Sequence, residues 1–153
     1  MLSFSSQKSS GTTAHSGGFT DPQFAENKVM SDHIQILIAE DEEINYFFIK
    51  EALRSFNFMV HWGKNGKEAV SIFENNNDIR LVLMDIKMPV MDGYEALSLI
   101  KNIRWVPVIA QTAYAMANEK DQILAAGFDE YLPKPINISL LRSTLIKFLK
   151  LDQ

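Results

Sequence analysis

A doubly wound α/β domain, built on a five-stranded parallel sheet with helices on both faces, is predicted by three observations. From Ile34 onward, short apolar runs alternate with segments of helical period, five of each. The connections are short, which with right-handed crossovers implies parallel strands. One run, Leu81-Val82-Leu83-Met84, is apolar throughout and ends on a carboxylate, Asp85, as expected of a strand buried on both faces that opens onto a crevice at its carboxyl end.

Composition sets the bounds. The 153 residues suit one core, and 15 Lys and Arg against 19 Asp and Glu give a net charge of −4 with no basic run, so neither a nucleic-acid groove nor contact with an acidic membrane is suggested. Without cysteine there are no disulfides, thiolate nucleophiles or thiolate metal sites. No apolar stretch approaches the roughly 20 residues of a spanning helix, and the N-terminus lacks a signal-peptide pattern, so a cytoplasmic protein is expected. Residues 1–33 hold seven serines and three glycines, with Phe4, Phe19 and Phe24 scattered without period; they read as a flexible tail or linker, leaving 34–150 as the folded domain.

Within that domain the first strand is Ile34–Ala39, stopped by Glu40-Asp41-Glu42-Glu43. The following helix places Ile44, Phe47, Phe48 and Ala52 at helical spacing, with Asp41 suited to its N-cap. Phe58–Trp62 is the second strand. Asn65 followed by Glu68 starts the second helix, whose Ala69, Val70 and Phe73 form the buried face. After the third strand, Asp92-Gly93 marks a turn, and Tyr94, Leu97 and Ile100 fit a third helix. Val106–Ala110 is the fourth strand, a fourth helix runs from about 115 to 126 with Gly127 as its C-cap, and Asp129–Leu132 is a short fifth strand. Pro133 and Pro135 bar helix there. Asn137 caps a last helix with Ile138, Leu141, Leu145 and Phe148 along one side.

For five such units the flavodoxin-like strand order 2-1-3-4-5 is the natural one, and it makes strands 1 and 3 neighbours. Alone, Asp85 reads as a turn cap; that order brings Glu40 and Asp41 beside it. Three converging carboxylates require a cation, and oxygen ligands without His or Cys favour a hard ion, magnesium or its manganese substitute. Thr112 and Lys134, at the ends of strands 4 and 5, add a hydroxyl donor and a point charge suited to an anion beside the metal. A carboxylate nucleophile with these neighbours suits phosphoryl transfer through an acyl phosphate.

Four blocks in order, Glu40-Asp41, Met84-Asp85-Ile86-Lys87-Met88-Pro89 with Met91-Asp92-Gly93, Val106 to Ala113, and Tyr131-Leu132-Pro133-Lys134-Pro135, resemble the receiver domain of two-component response regulators over Gln35 to Lys150. The resemblance implies that Asp85 accepts a phosphoryl group from a phosphohistidine on a histidine kinase or histidine phosphotransfer domain. It implies that Asp41, Asp85 and the Lys87 carbonyl bind Mg2+, with Glu40 holding metal-bound water. Thr112, Lys134 and the Ala113 amide would contact the phosphoryl oxygens, and Lys87 and Tyr114 would flank the entrance. It further implies a switch in which Thr112 moves inward and Tyr131 follows, a remodelled helix 4, strand 5 and helix 5 surface that can form a homodimer, and a cis Lys134–Pro135 bond.

With the tail in front and the last helix followed closely by Gln153, leaving no room for an output domain, the chain most resembles the C-terminal receiver of a hybrid sensor kinase, with a free-standing regulator as rival. None of His15, His33 or His61 sits in a kinase-like helical setting. Three other classes compete less well. A haloacid dehalogenase phosphatase needs an Asp where Lys87 stands, a nucleotide-binding flavodoxin-like protein needs a Gly-rich loop after strand 1, and an unphosphorylated pseudo-receiver usually lacks a member of the acidic, Thr and Lys set.

Overall fold

The computed structural model describes residues 33–114 and 116–152, and the expected tail, 1–33, lies outside them but for His33. The elements alternate as predicted: β1 (Gln35–Ala39), α1 (Glu43–Ala52), β2 (Met59–Gly63), α2 (Gly66–Glu74), β3 (Ile79–Asp85), α3 (Gly93–Ile103), β4 (Val108–Thr112), α4 (Ala117–Ala126), β5 (Glu130–Pro133) and α5 (Ile138–Leu149). All strand pairs are parallel, in the order β2-β1-β3-β4-β5. Among the described residues no helix is long and apolar enough to cross a membrane.

Strand alternation divides the core. Leu37, Val82, Met84, Val108 and Ala110 face Ala69, Phe73, Ala96, Leu97, Ile100 and Ile123 of α2, α3 and α4. Ile36, Ile38, Leu81, Leu83, Ile109 and Leu132 face Tyr46, Ile49, Leu141, Leu145 and Leu149 of α1 and α5. Both faces are therefore covered, as expected.

Helix α1 departs from the sequence reading. Its buried residues are Tyr46 and Ile49, whereas Ile44, Phe47 and Phe48 are 82%, 53% and 46% exposed. The helix is apolar on two sides, so spacing alone leaves its rotation open. Trp62 of β2 decides it by stacking on Tyr46, with ring centroids 3.9 Å apart and planes 5° from parallel. The N-cap is Glu42 rather than Asp41, and it makes no side-chain cap bond. In α5, Ile138 is likewise outward, and Leu149 completes the buried row with Leu141 and Leu145.

Other local signals hold. Asn65 Oδ1 accepts from Glu68 N–H at 2.8 Å, Asp92 Oδ1 from Glu95 N–H at 2.9 Å and Asn137 Oδ1 from Leu140 N–H at 2.9 Å, each closing a helix start. Gly127 ends α4 with φ +115°.

Arg104, just past α3, ties the far end of the sheet together. Its guanidinium donates to the carbonyls of Ile79 at 3.0 Å and Asn76 at 2.8 Å, and lies 4.0 Å from the Phe73 ring centroid. Arg104→Ala is expected to lose about 2–3 kcal/mol in urea unfolding, and Arg104→Lys to recover little of it, since an ammonium cannot fork to two carbonyls while stacking flat on a ring.

Candidate functional site

The carboxyl ends of β1, β3, β4 and β5 carry the site. Glu40, the residue after β1, is fully buried and bonded on every side. Its N–H donates to Gly63 O at 3.0 Å, its carbonyl accepts from Trp62 Nε1 at 2.9 Å, and its Oε1 accepts from Glu42 N–H at 3.1 Å. The Glu40 carboxylate thus supports the N-terminus of α1 from the preceding loop, and Asp41, relieved of capping, stands exposed beside it.

Asp85 ends β3 and is 5% exposed. The loop behind it is held by Ile86 N–H donating to Gln111 O at 3.2 Å and Gly93 N–H donating to Ile86 O at 2.7 Å. A Cβ on Gly93 would lie 2.5 Å from Asp85 O, so only glycine lets the start of α3 close on the carboxylate-bearing strand.

Lys134 joins the two strand ends. Its Nζ lies 3.1 Å from Glu40 Oε2 and 3.1 Å from Asp85 Oδ2, while its backbone N–H donates to Thr112 O at 2.7 Å. The Lys134–Pro135 peptide is cis. Glu40, Asp41 and Asp85 each offer an oxygen, and these atoms lie within 4.8 Å of one another.

Burial is the main force on these charges. It pushes the Glu40 carboxyl up to about 7, with Asp85 adding to the rise and the Glu42 N–H and Lys134 opposing it. Burial also raises Asp85, aided by Asp41 and resisted by Lys134 and the Lys87 backbone N–H. Lys134 is pulled down by its own burial, but Asp85 and Glu40 outweigh this and hold it above the usual lysine range. One ammonium thus shields a group of carboxylates that repel one another, and added positive charge would be taken up.

A cleft of about 290 Å³ opens over this group, lined by Asp41, Asp85, Lys87, Thr112, Tyr114 and Lys134, among others. The Lys87 ammonium sits 4.7 Å from the Tyr114 ring centroid at its edge. Thr112 is 3% exposed, and its hydroxyl is engaged with the Tyr114 backbone, accepting from N–H at 3.0 Å and donating to the carbonyl at 3.2 Å. Tyr131 lies apart, half-buried on β5 against the α2, α3 and α4 side, with Lys120 Nζ 5.3 Å from its ring centroid.

Glu40, Asp41, Asp85, Thr112 and Lys134 are therefore brought together, Lys87 and Tyr114 border them, and Tyr131 is a separate group. Sequence reasoning missed Trp62, whose indole fixes the Glu40 carbonyl, and Gln111, a buried polar residue of β4 directly after the apolar run Val108–Ala110.

Residues 36–146 match the family described as response regulator receiver domain. The sensor histidine kinase RcsC of Escherichia coli K12 is 33% identical over 127 residues, 82% of this chain but 13% of that protein. Hybrid signal transduction histidine kinase I of Dictyostelium discoideum is 36% identical over 116 residues, 70% of this chain and 7% of that protein. The chain thus spans only a small part of these relatives.

Among solved structures, the receiver domain of the sensor histidine kinase PA1611 from Pseudomonas aeruginosa PAO1, with a magnesium ion in its active-site cleft, superposes with a TM-score of 0.70 at 35% identity, covering 77% of this chain and 98% of that one. A co-crystal structure of the Saccharomyces cerevisiae histidine phosphotransfer protein Ypd1 with the receiver domain of Ssk1 matches with a TM-score of 0.70 at 30% identity, covering 76% and 88%. The family match spans most of the chain, and the strand order and the strand-end acidic cluster agree with it. The chain belongs to the response regulator receiver domains of two-component signalling.

Proposed function

We propose that this domain takes a phosphoryl group from the phosphohistidine of a histidine kinase or histidine phosphotransfer domain onto Asp85, and alters its surface in response. The observation that carries this reading is the Lys134 ammonium at 3.1 Å from both Asp85 and Glu40, on an acidic group whose charged state burial opposes. In the transfer, an Asp85 oxygen attacks phosphorus as the P–N bond to imidazole breaks, and the bonding pair returns to the ring nitrogen. Lys134 pairs with the phosphoryl oxygens. Thr112 leaves the Tyr114 backbone to donate to them with the Ala113 amide, and Tyr131 moves inward behind it.

The donor set fits a hard divalent ion, Mg2+ or Mn2+: three carboxylates, no nitrogen or sulfur ligand, and a cleft open to water. Asp41, Asp85 and the Lys87 carbonyl would hold it, and Glu40 would hold a metal-bound water. When bound, it would neutralise charge on the phosphoryl oxygens.

A partner bearing phosphohistidine must bring its imidazole to the cleft. The outward stripe of α1 stands beside it, since Ile44 and Phe48 line a hollow with Lys134, Pro135 and Ile136. That stripe suits the apolar face of a helical phosphotransfer domain, and the Ypd1 complex of a relative supports the partner kind. The α4, β5 and α5 surface, with Lys120, Tyr131 and the Glu130–Lys147 pair, would carry the output contact or a homodimer. Residues 34–150 would form the signalling domain, and 1–33 a linker within a larger cytoplasmic hybrid kinase.

Acetyl phosphate with Mg2+ is expected to add one phosphoryl mass to the intact chain, an increment lost in Asp85→Asn and on chelation. No adduct on the unaltered chain would favour an interaction module that is not phosphorylated.

A further inference from the structure

Gln111 is 1% exposed, and neither its Oε1 nor its Nε2 has a hydrogen-bond partner among the described residues. Both ends of a buried amide left unpaired are unfavourable, and an apolar side chain of the same size would avoid the loss. The position is therefore informative.

Gln111 pairs in register with Asp85 on one side and Leu132 on the other. It follows Ile109 by two, as Asp85 follows Leu83 and Lys134 follows Leu132, and those three apolar residues share the α1 and α5 face. Since β4 lies between β3 and β5, the Lys134 side chain reaches Asp85 and Glu40 by crossing the end of β4 on the face that holds Gln111. The orphan amide thus belongs to the sheet face that the lysine crosses, next in the chain to Thr112. An ammonium has three N–H groups, and Glu40 and Asp85 use two.

We propose that Gln111 is a positioning residue for Lys134 in the phosphorylated state. This rests on the reading of Asp85 as phosphoacceptor. A phosphoryl group on Asp85 draws the ammonium toward its oxygens and away from Glu40. The Gln111 Oε1 then accepts the N–H that this shift turns toward β4, and holds the lysine in place. Phosphorylation thereby pairs the Oε1, one of the two unpaired ends of the amide.

The test measures calorimetric affinities of the full chain for Mg2+ alone and for beryllofluoride with Mg2+, the latter standing in for a phosphoryl group. Gln111→Leu and Gln111→Met are both made, so that one folded variant suffices. Each is expected to bind beryllofluoride about tenfold more weakly, the size of a lost hydrogen bond to a charged group, with Mg2+ affinity held within roughly twofold. In a Lys134→Ala background, Gln111→Leu is expected to add no further loss. Unchanged beryllofluoride affinity overturns the proposal, as does an equal loss for both ligands, or an additive loss without Lys134. If the unaltered chain binds Mg2+ but not beryllofluoride, the phosphoacceptor reading fails, and this proposal with it.

Discussion

Lys134→Ala is expected to lower the unfolding free energy by about 3–5 kcal/mol at pH 8, because it strands two buried carboxylates without their counter-charge. The sequence suggests a milder outcome, since a lysine between two prolines in a loop has no evident role in the core. The structure gives it one: its side chain is 18% exposed, and its ammonium is shared by Glu40 and Asp85. The loss should shrink at pH 5, where the stranded carboxyls take up protons, and Mg2+ at pH 8 should recover part of it. Urea titrations at both pH values, with and without the ion, measure this. A loss below about 1 kcal/mol that does not vary with pH would mean that the lysine is not holding these charges.

The unaltered domain without metal is expected to lose stability as pH rises from about 4.5 to about 7, the span between the ordinary Glu40 value and its raised one. In that window the unfolded chain has released the Glu40 proton and the folded chain keeps it. The folded state therefore binds more protons, and stability falls with increasing pH. The difference is on the order of 3 kcal/mol, complete above the folded-state value. Asp85, also raised by burial, acts in the same direction. His61, lowered by burial, acts oppositely near its ordinary value of 6.5, but with much less burial behind it. Saturating Mg2+ should stabilise the domain at pH 8 and scarcely at pH 5, where protons compete for the same oxygens. Chemical denaturation across this range checks the sign, and a monotonic gain in stability from pH 4.5 to 7 without metal would contradict it.

The path from sequence to site was legible wherever one residue carried two signals. Asp85 stood out because a carboxylate ended a wholly apolar run, and topology alone brought Glu40 and Asp41 to it. Lys134 was marked by its prolines, although the reach of its side chain across β4 to two carboxylates was not. The rotation of α1 could not be read, because Ile44, Phe47 and Phe48 form as plausible a buried stripe as Tyr46, Ile49 and Leu53. The choice depends on Trp62, a contact across 16 residues. That outcome matters for function, because it leaves an apolar stripe outside, next to the cleft. Asp41 looked like an N-cap because it precedes a helix; Glu42 takes the position, and the Asp41 carboxylate remains with the cluster. Gln111 gave only the faint signal of a polar residue in an apolar strand. Its lack of partners emerges only when three neighbouring strands are in place.

The proposed phosphoacceptor is a single carboxylate, Asp85. A phosphorylated histidine phosphotransfer domain mixed with the chain and Mg2+, followed by borohydride reduction of the acyl phosphate and peptide mass spectrometry, locates it directly. Reduction is expected at Asp85 alone, absent without Mg2+ and in Asp85→Asn. Reduction at Asp41 or Glu40 instead, or transfer that persists in Asp85→Asn, would contradict it.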